Sequence, residues 1–143
     1  MIESVVTLTE TNPETISCIG HSLGAQTCGY LGESVQELYG TKIPRIYGLD
    51  PAEPYFKGVP AEVCLEITDA DFVSIIHSDA TQFLDGGLQG LGVGYPIGHM
   101  DFWPNNGTDH PGCDQGLIDQ IGNNDGDRWE GIRVRVWHFF RIS

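Results

Sequence analysis

The segment with the clearest capacity for chemistry is the pentapeptide Gly20-His21-Ser22-Leu23-Gly24. A serine on a sharp turn between a strand and a helix is exposed as a nucleophile, and the N-terminus of the helix stabilises negative charge that forms above it. Such a turn brings its flanking residues together, so we expect glycine to be required at both Gly20 and Gly24. The pattern predicts a hydrolase nucleophile, and the alternative is a glycine-rich turn that only packs or binds an anion.

A serine nucleophile needs a histidine to remove its proton and a carboxylate to orient that histidine and stabilise its charged form. In hydrolases with this turn, the chain order is serine, acid, histidine. Asp50 directly follows the apolar segment 45–49, so it is expected at the carboxyl edge of a sheet, beside Ser22. Asp79 follows another such segment and is the second candidate for the acid.

The chain has five histidines that compete for the role of base: His21, His77, His99, His110 and His138. His21 adjoins the nucleophile and is expected to point away from it. His138 comes last and follows a long insertion, which suits a histidine that a loop delivers. Order alone favours His138 only slightly, because a histidine next to Phe139 and Phe140 is often a core residue.

The elements that must position these residues can be predicted from hydrophobic patterning. Residues 16–19, 45–49 and 72–77 are predicted strands, and the apolar residues from Leu23 to Leu38 predict a helix of about four turns that stops at Gly40. A strand, a helix and a strand at this spacing form a βαβ unit, and hence a parallel sheet with right-handed crossovers. A short helix is also predicted over residues 3–9, and regularity fades into a long glycine-rich segment after Thr81.

The composition is that of one globular domain with many loops. The 143 residues include 19 glycines and 8 prolines and carry a net charge of -13. Such an acidic surface repels a phosphate backbone, which argues against nucleic acid as a partner. No apolar run is long enough for a transmembrane segment, and the first ten residues lack the basic start and apolar run of a signal peptide.

Two further motifs bear on the cellular compartment. The four cysteines form no CxxC pair, so neither a zinc site nor a thioredoxin-like motif is indicated. Asn106-Gly107-Thr108 matches the acceptor pattern for N-glycosylation, which hints at secretion, although so short a pattern also arises by chance.

Five segments are specific when taken together: Ile19-Gly20-His21-Ser22-Leu23-Gly24-Ala25, Gly48-Leu49-Asp50-Pro51-Ala52-Glu53-Pro54, Val73-Ser74-Ile75-Ile76-His77-Ser78-Asp79, Gly98-His99-Met100-Asp101-Phe102-Trp103-Pro104-Asn105 and Pro111-Gly112-Cys113. They resemble the pancreatic lipase family of animal lipases, over residues 16–141. The resemblance implies a partial α/β-hydrolase fold, with a mostly parallel sheet, flanking helices, a glycine-rich loop and a long lid. It also implies a catalytic triad of Ser22, Asp50 and His138, with the backbone N–H of Leu23 as one donor of the oxyanion hole.

The resemblance further implies a structural calcium ion just after the acid. Its ligands would be the backbone carbonyls of Ala61 and Cys64 and the side chains of Glu66 and Asp69, a set of hard oxygen donors that suits calcium. Glu66 stands where the family more often has aspartate. Without the resemblance, this part of the chain would be interpreted as a solvated acidic loop.

The segment between Cys113 and His138 resembles the family's lid, a flap that covers the site in water and opens on a lipid surface. The family closes this lid with a disulfide, but Val136 stands where the partner of Cys113 is expected. The other cysteines fall in or beside the sheet layers and are predicted to be buried thiols. The lengths of the lid and of the glycine-rich segment 82–97 favour triacylglycerol lipases over phospholipases A1.

Residues 1–143 are therefore predicted to be the C-terminal portion of a lipase catalytic domain. The family's earlier strands, its signal peptide and its C-terminal β-sandwich, along with the loop that supplies the second oxyanion donor, are expected to lie outside them. The predicted function is that of a secreted carboxylic ester hydrolase, similar to triacylglycerol lipases, that acts on lipid esters at a lipid–water interface without an organic cofactor. The alternatives are a phospholipase A1 and a catalytically silent, lipase-like binding or carrier protein.

Overall fold

The computed structural model describes Val6 and residues 9–80 and 90–108. These residues form a parallel sheet of four strands in the order β1-β2-β3-β4. The strands are β1 (Ser17–His21), β2 (Ile43–Leu49), β3 (Ala70–Ile76) and β4 (Met100–Phe102), and one α-helix, α1 (Leu23–Tyr39), connects β1 to β2. Short 3-10 helices lie at Pro13–Thr15, Ala61–Val63, Ile67–Asp69 and Pro104–Gly107.

The predicted βαβ unit is confirmed. Residue pairs in register show β1 parallel to β2 and β2 parallel to β3. The helix ends as predicted at Gly40, which adopts a left-handed φ of 68° and donates its backbone N–H to Gln36 O. Because His21, Leu49 and Ile76 lie level with one another, the residues that follow them emerge at one edge of the sheet.

The strand β4 is absent from the predicted elements. It contains three residues, too few for an alternating pattern to stand out within a glycine-rich segment. It pairs with the end of β3, where Ile76 lies opposite Phe102. This pairing brings Trp103, which follows Phe102, to the edge of the sheet that carries Ser22 and Asp50.

The core lies between α1 and the sheet. Ala25, Cys28 and Val35 on the inner face of α1 are buried against apolar side chains of the central strands. Burial of this apolar surface is the dominant favourable term that holds the helix on the sheet. The turn between β1 and α1 is therefore fixed by packing on both of its sides.

A disulfide joins Cys18 and Cys28, whose Cα atoms are 5.7 Å apart. The prediction that both are buried thiols was wrong. After the turn at Ser22, α1 folds back over β1, so the inner face of the helix meets Cys18 across that turn. The spacing of four residues before Ser22 and six residues after it could have indicated the pairing.

Several predicted features lie outside the described residues. They are the candidate bases His110 and His138, the lid with Cys113, residues 82–89 of the glycine-rich segment, and most of the helix predicted over residues 3–9. Among the helices that the structure describes, none combines the length and the apolar character needed to cross a bilayer.

Candidate active site

Ser22 occupies a sharp turn between β1 and α1. Its φ of 55° and ψ of -119° lie in a region that L-residues rarely adopt. The turn is held by three backbone hydrogen bonds, because Ser22 N–H donates to Leu49 O at 3.0 Å while Ser22 O accepts from Ala25 at 3.1 Å and from Ala52 at 3.3 Å. The neighbouring strand β2 and the segment after it therefore impose the strained conformation.

The two glycines of the pentapeptide have different roles. A Cβ on Gly20 would lie 2.2 Å from Gly24 O, a separation that no side chain tolerates. A Cβ on Gly24 would meet no atom within 4 Å. The expectation that close packing requires glycine at both positions is therefore correct for Gly20 and wrong for Gly24, because Gly24 contributes its carbonyl, and not its Cα, to the crowded contact.

Within the part of the chain that the structure describes, the hydroxyl group of Ser22 is not used to cap the helix. Ser22 is the N-cap residue of α1, yet its side chain makes no capping hydrogen bond. Leu23 is the first residue of the helix, so its backbone N–H belongs to the first turn, where N–H groups have no acceptor within the helix. This turn thus presents a hydroxyl beside a donor that can hold negative charge.

Asp50 follows β2 with a left-handed φ of 49°. Its Oδ1 accepts hydrogen bonds from the backbone N–H groups of Ser78 and Asp79, each at 2.9 Å. Two consecutive N–H donors on one oxygen fix the orientation of the carboxylate. Within residues 9–80 and 90–108, its second oxygen, Oδ2, has no hydrogen-bond partner, so it is available to orient a histidine.

Gly92 completes the surroundings of this carboxylate. A Cβ on Gly92 would lie 2.4 Å from Asp50 Oδ1, and Gly92 N–H donates to Asp79 O at 3.0 Å. Sequence reasoning missed Gly92 and the two N–H donors, because backbone groups leave no signal in residue types. Asp79, the second candidate for the acid, supplies one of these donors, so its place in the described site is to hold Asp50.

The described histidines differ in what their rings contact. His21 ends β1 and is exposed. His99 Nδ1 accepts from Val73 N–H at 3.0 Å, and its ring stacks on Phe72. His77 is fully buried and has acceptor oxygens 2.7 Å from both ring nitrogens, so it has no nitrogen left to serve as a base.

The four predicted calcium ligands lie in one stretch beside α1, between β2 and β3. Asp69 is 1% exposed and accepts a hydrogen bond at Oδ2 from Glu66 N–H at 2.9 Å. Its close approach to α1 depends on glycine, since a Cβ on Gly32 would lie 2.1 Å from Asp69 O and one on Gly29 would lie 2.9 Å from Asp69 Oδ2. The sequence thus places a carboxylate where water cannot solvate it.

The surroundings of Asp69 do not compensate its charge. Desolvation raises the pKa of Asp69 from 3.8 to about 7, and the hydrogen bond from Glu66 N–H and the charge of Lys42 only partly offset the effects of burial, Glu33 and Glu66. Among the described residues, no three His, Cys, Asp or Glu side chains converge as a metal site, and the predicted set itself has only two side-chain ligands, Glu66 and Asp69. A buried carboxylate that lacks a cation, next to a second carboxylate, fits the hard-oxygen chemistry of calcium if carbonyl oxygens supply the other ligands.

Cys64, one of the two predicted carbonyl ligands, also carries a thiol without a disulfide partner among the described residues. Burial raises the pKa of this thiol, as do the charges of Glu66 and Asp69.

Asn106 is exposed in the turn Pro104–Gly107, where it has a left-handed φ of 58°. The side chain that a glycan would modify is therefore accessible.

Comparisons with known proteins agree on one family. The model of the lipase family matches residues 1–140. The chain is 41% identical to pig pancreatic lipase-related protein 2 over 92% of the chain and 26% of that protein, and 47% identical to mouse pancreatic triacylglycerol lipase over 82% and 24%. It is 44% identical to dog inactive pancreatic lipase-related protein 1 over 85% of the chain and 24% of that protein. The chain thus spans about a quarter of the length of these relatives.

Proposed function

We propose that this chain supplies the nucleophile and the acid of a serine-dependent carboxylic ester hydrolase. The chain belongs to the pancreatic lipase family. The observation that carries the proposal is the pairing of Ser22 with Asp50. Ser22 has a strained turn and an unused hydroxyl, and Asp50, at the same edge of the sheet, has one oxygen fixed and the other available. A turn that only packs or binds an anion needs neither the strain nor the fixed carboxylate.

In the proposed reaction, Ser22 Oγ attacks the ester carbonyl carbon while His138 removes the proton of the Ser22 hydroxyl. Asp50 orients His138 and stabilises its charged form, and the N–H of Leu23 donates to the oxyanion of the tetrahedral intermediate. His138 then passes the proton to the leaving alcohol, which leaves an acyl group on Ser22. Water, deprotonated by the same histidine, releases the fatty acid. The role of His138 is assigned from its place in the chain order and from the resemblance to the family.

The first test is the covalent chemistry of Ser22. In the full-length protein, a fluorophosphonate probe should label Ser22, and Ser22→Ala should abolish labelling and reduce ester hydrolysis by about 10⁴-fold or more. The matched control is Ser17→Ala, because Ser17 is an exposed serine in β1. This variant should label and hydrolyse esters like the parent protein. A folded parent protein that does not react would indicate a catalytically silent relative, as the name of the dog protein describes for itself.

The proposed substrate is a triacylglycerol at a lipid–water interface. The proposal is supported by the lengths of the glycine-rich and lid segments in the sequence. Hydrolysis of triolein emulsions should exceed hydrolysis of phosphatidylcholine vesicles at equal interfacial area. The reverse preference would assign the chain to the phospholipase A1 type.

We also propose that calcium binds at the carbonyls of Ala61 and Cys64 and the carboxylates of Glu66 and Asp69. The ion would neutralise buried charge and fix this stretch after β2, and it takes no part in the transfer of the acyl group. The supporting observation is the uncompensated burial of Asp69. Isothermal titration with calcium should show binding in the parent protein and none in Asp69→Ala.

Secretion is the third part of the proposal. It is supported by the Cys18–Cys28 disulfide, since such bonds persist in oxidising compartments, and by the exposed acceptor Asn106. Expression in a eukaryotic secretory host should yield protein whose mass falls on treatment with an N-glycosidase, while Asn106→Gln, with Asn105→Gln as control, should lack that shift. Retention of all activity inside the cells would contradict the proposal.

A further inference from the structure

We propose that His77 is a positioning residue for Asp50, acting with Asp101 and Trp103, and this rests on the proposed function of Asp50. His77 directly follows β3 and is completely buried. Its neighbours along the chain, Ser78 and Asp79, are the residues whose N–H groups hold Asp50 Oδ1. Whatever fixes His77 therefore also fixes the donors to the carboxylate.

The ring of His77 lies between the segment of Val93 and strand β4. Nδ1 lies 2.7 Å from Val93 O, and Nε2 lies 2.7 Å from Asp101 Oδ1. Both neighbours are oxygen atoms at hydrogen-bond distance, so both nitrogens of the ring are engaged. The pair of His77 and Asp101 is buried, with the Asp101 side chain 9% exposed.

Asp101 is itself held in place. Its Oδ1 accepts from Ile97 N–H and its Oδ2 from Gly98 N–H, both at 3.1 Å. Trp103 stacks on the ring of His77, with 3.7 Å between the centroids and 7° between the planes. The ring of His77 thus has an oxygen atom at hydrogen-bond distance from each nitrogen and an aromatic ring on its face.

Val93 and its neighbour Gly92 link the ring of His77 to the surroundings of Asp50. Val93, which accepts from the ring, donates its own N–H to Pro51 O at 2.8 Å. Gly92, beside it, packs on Asp50 Oδ1 and donates to Asp79 O. The residues that surround the carboxylate belong to segments after β2, after β3 and at residues 92–93, and the ring of His77 connects the last two of these segments to Asp101 in β4.

A residue in this role should affect the rate of the chemical step more than substrate binding. A carboxylate displaced by a fraction of an ångström orients the base poorly, and misplacement of about 1 Å costs on the order of 100-fold in rate. We therefore expect His77→Gln in the full-length protein to lower kcat on a short soluble ester by about tenfold to a hundredfold, while KM changes little.

Fluorophosphonate labelling separates this role from a general loss of folding. If His77 positions Asp50, every molecule of His77→Gln still labels, but the rate constant for labelling falls by the same factor as kcat. If the substitution only unfolds part of the sample, the final labelled fraction falls and the rate constant does not. The second result, or a kcat equal to that of the parent protein, would overturn the proposal.

His99→Gln is the matched control. His99 also bonds to a backbone group and stacks on an aromatic ring, but it contacts the middle of β3 and not the turn that holds Asp50. It should keep the kcat of the parent protein, and an equal fall in both variants would refute a specific role for His77. If His77→Gln does not fold, Trp103→Leu keeps both hydrogen bonds and should show a smaller fall in the labelling rate, about twofold to tenfold; an unchanged rate would overturn the proposal.

Failure of this inference can be distinguished from failure of the proposed function. If Ser22→Ala keeps the activity of the parent protein, the proposed function is wrong. If Ser22→Ala is inactive and His77→Gln retains the full labelling rate, only the positioning role is wrong.

Discussion

Asp101 and Asp69 both carry buried carboxylates, but the groups that surround the two side chains differ. Asp101 faces the ring of His77 at 2.7 Å and accepts two further backbone hydrogen bonds. Asp69 receives a hydrogen bond from Glu66 N–H, and burial raises its pKa to about 7. A buried charge is tolerated when a partner and hydrogen bonds replace water, and is otherwise neutralised.

The two regions differ in what replaces water around the carboxylate. Around Asp101, the ring of His77 and two backbone N–H groups take that place, so the region can hold the turn beside Asp50. The region around Asp69 contains acidic groups and lacks a close cation among the described residues, so it depends on a proton or on a metal ion. Four predictions test this contrast, in order of decreasing size of effect.

Asp101→Asn should cause the largest loss of stability. It removes one carboxylate oxygen from the contact with the buried ring of His77 and places an amide among the N–H donors that Asp101 accepts from, which costs about 3 to 5 kcal/mol in the free energy of unfolding when such a buried pair is broken. Urea denaturation measures this value, and the exposed Asp71→Asn in β3 is the control, with an expected change within about 0.5 kcal/mol. A loss below about 1 kcal/mol for Asp101→Asn would show that the contact between Asp101 and His77 contributes little to stability.

In the presence of chelator, the protein should lose stability as the pH rises from about 4 to about 7. The pKa of Asp69 is raised on folding, so the folded state binds a proton that the unfolded state has released, and the resulting stability disappears as the pH passes the folded pKa of about 7. The shift of about three pKa units corresponds to about 4 kcal/mol at most. Asp69→Asn should remove this pH dependence, and parallel stability curves for the two proteins would contradict the prediction.

Calcium should reverse that loss at neutral pH. At a free concentration 100 times its Kd, calcium should stabilise the parent protein by about 2.7 kcal/mol, because it binds the folded state. Thermal unfolding with and without calcium measures the effect as a shift in Tm. Asp69→Asn should show a smaller shift, and an equal shift in both proteins would place the ion elsewhere.

Lys57→Ala should have the smallest effect. Lys57 Nζ lies 3.1 Å from Glu53 Oε1, but the lysine side chain is 67% exposed, so water already solvates its charge. We expect a change within about 0.5 kcal/mol in the free energy of unfolding, and less in high salt. If Lys57→Ala lost as much stability as Asp101→Asn, burial would not explain why the contacts of Glu53 and Asp101 differ in strength.

Much of the site could be predicted because residue type carries the signal. The glycines around Ser22, the aspartate after an apolar strand and the helix that ends at Gly40 each follow from local chemistry, and the structure places Ser22 and Asp50 at one edge of a parallel sheet. The requirement for Gly24 was wrong because the clash involves a Cβ at Gly20 alone. The Cys18–Cys28 pairing was missed because it depends on how α1 folds over β1.

Residue types and their spacing are enough to mark the candidates for chemistry, because nucleophiles, acids and glycine-dependent turns leave that signal in the sequence. How Asp50 is held, and which buried carboxylate has a partner, depend on tertiary contacts. The donors to Asp50 are backbone N–H groups, and the bond between His77 and Asp101 joins β3 to β4 across the segment between them. Such contacts depend on chain geometry, since any residue offers the same N–H and burial is set by packing between distant segments.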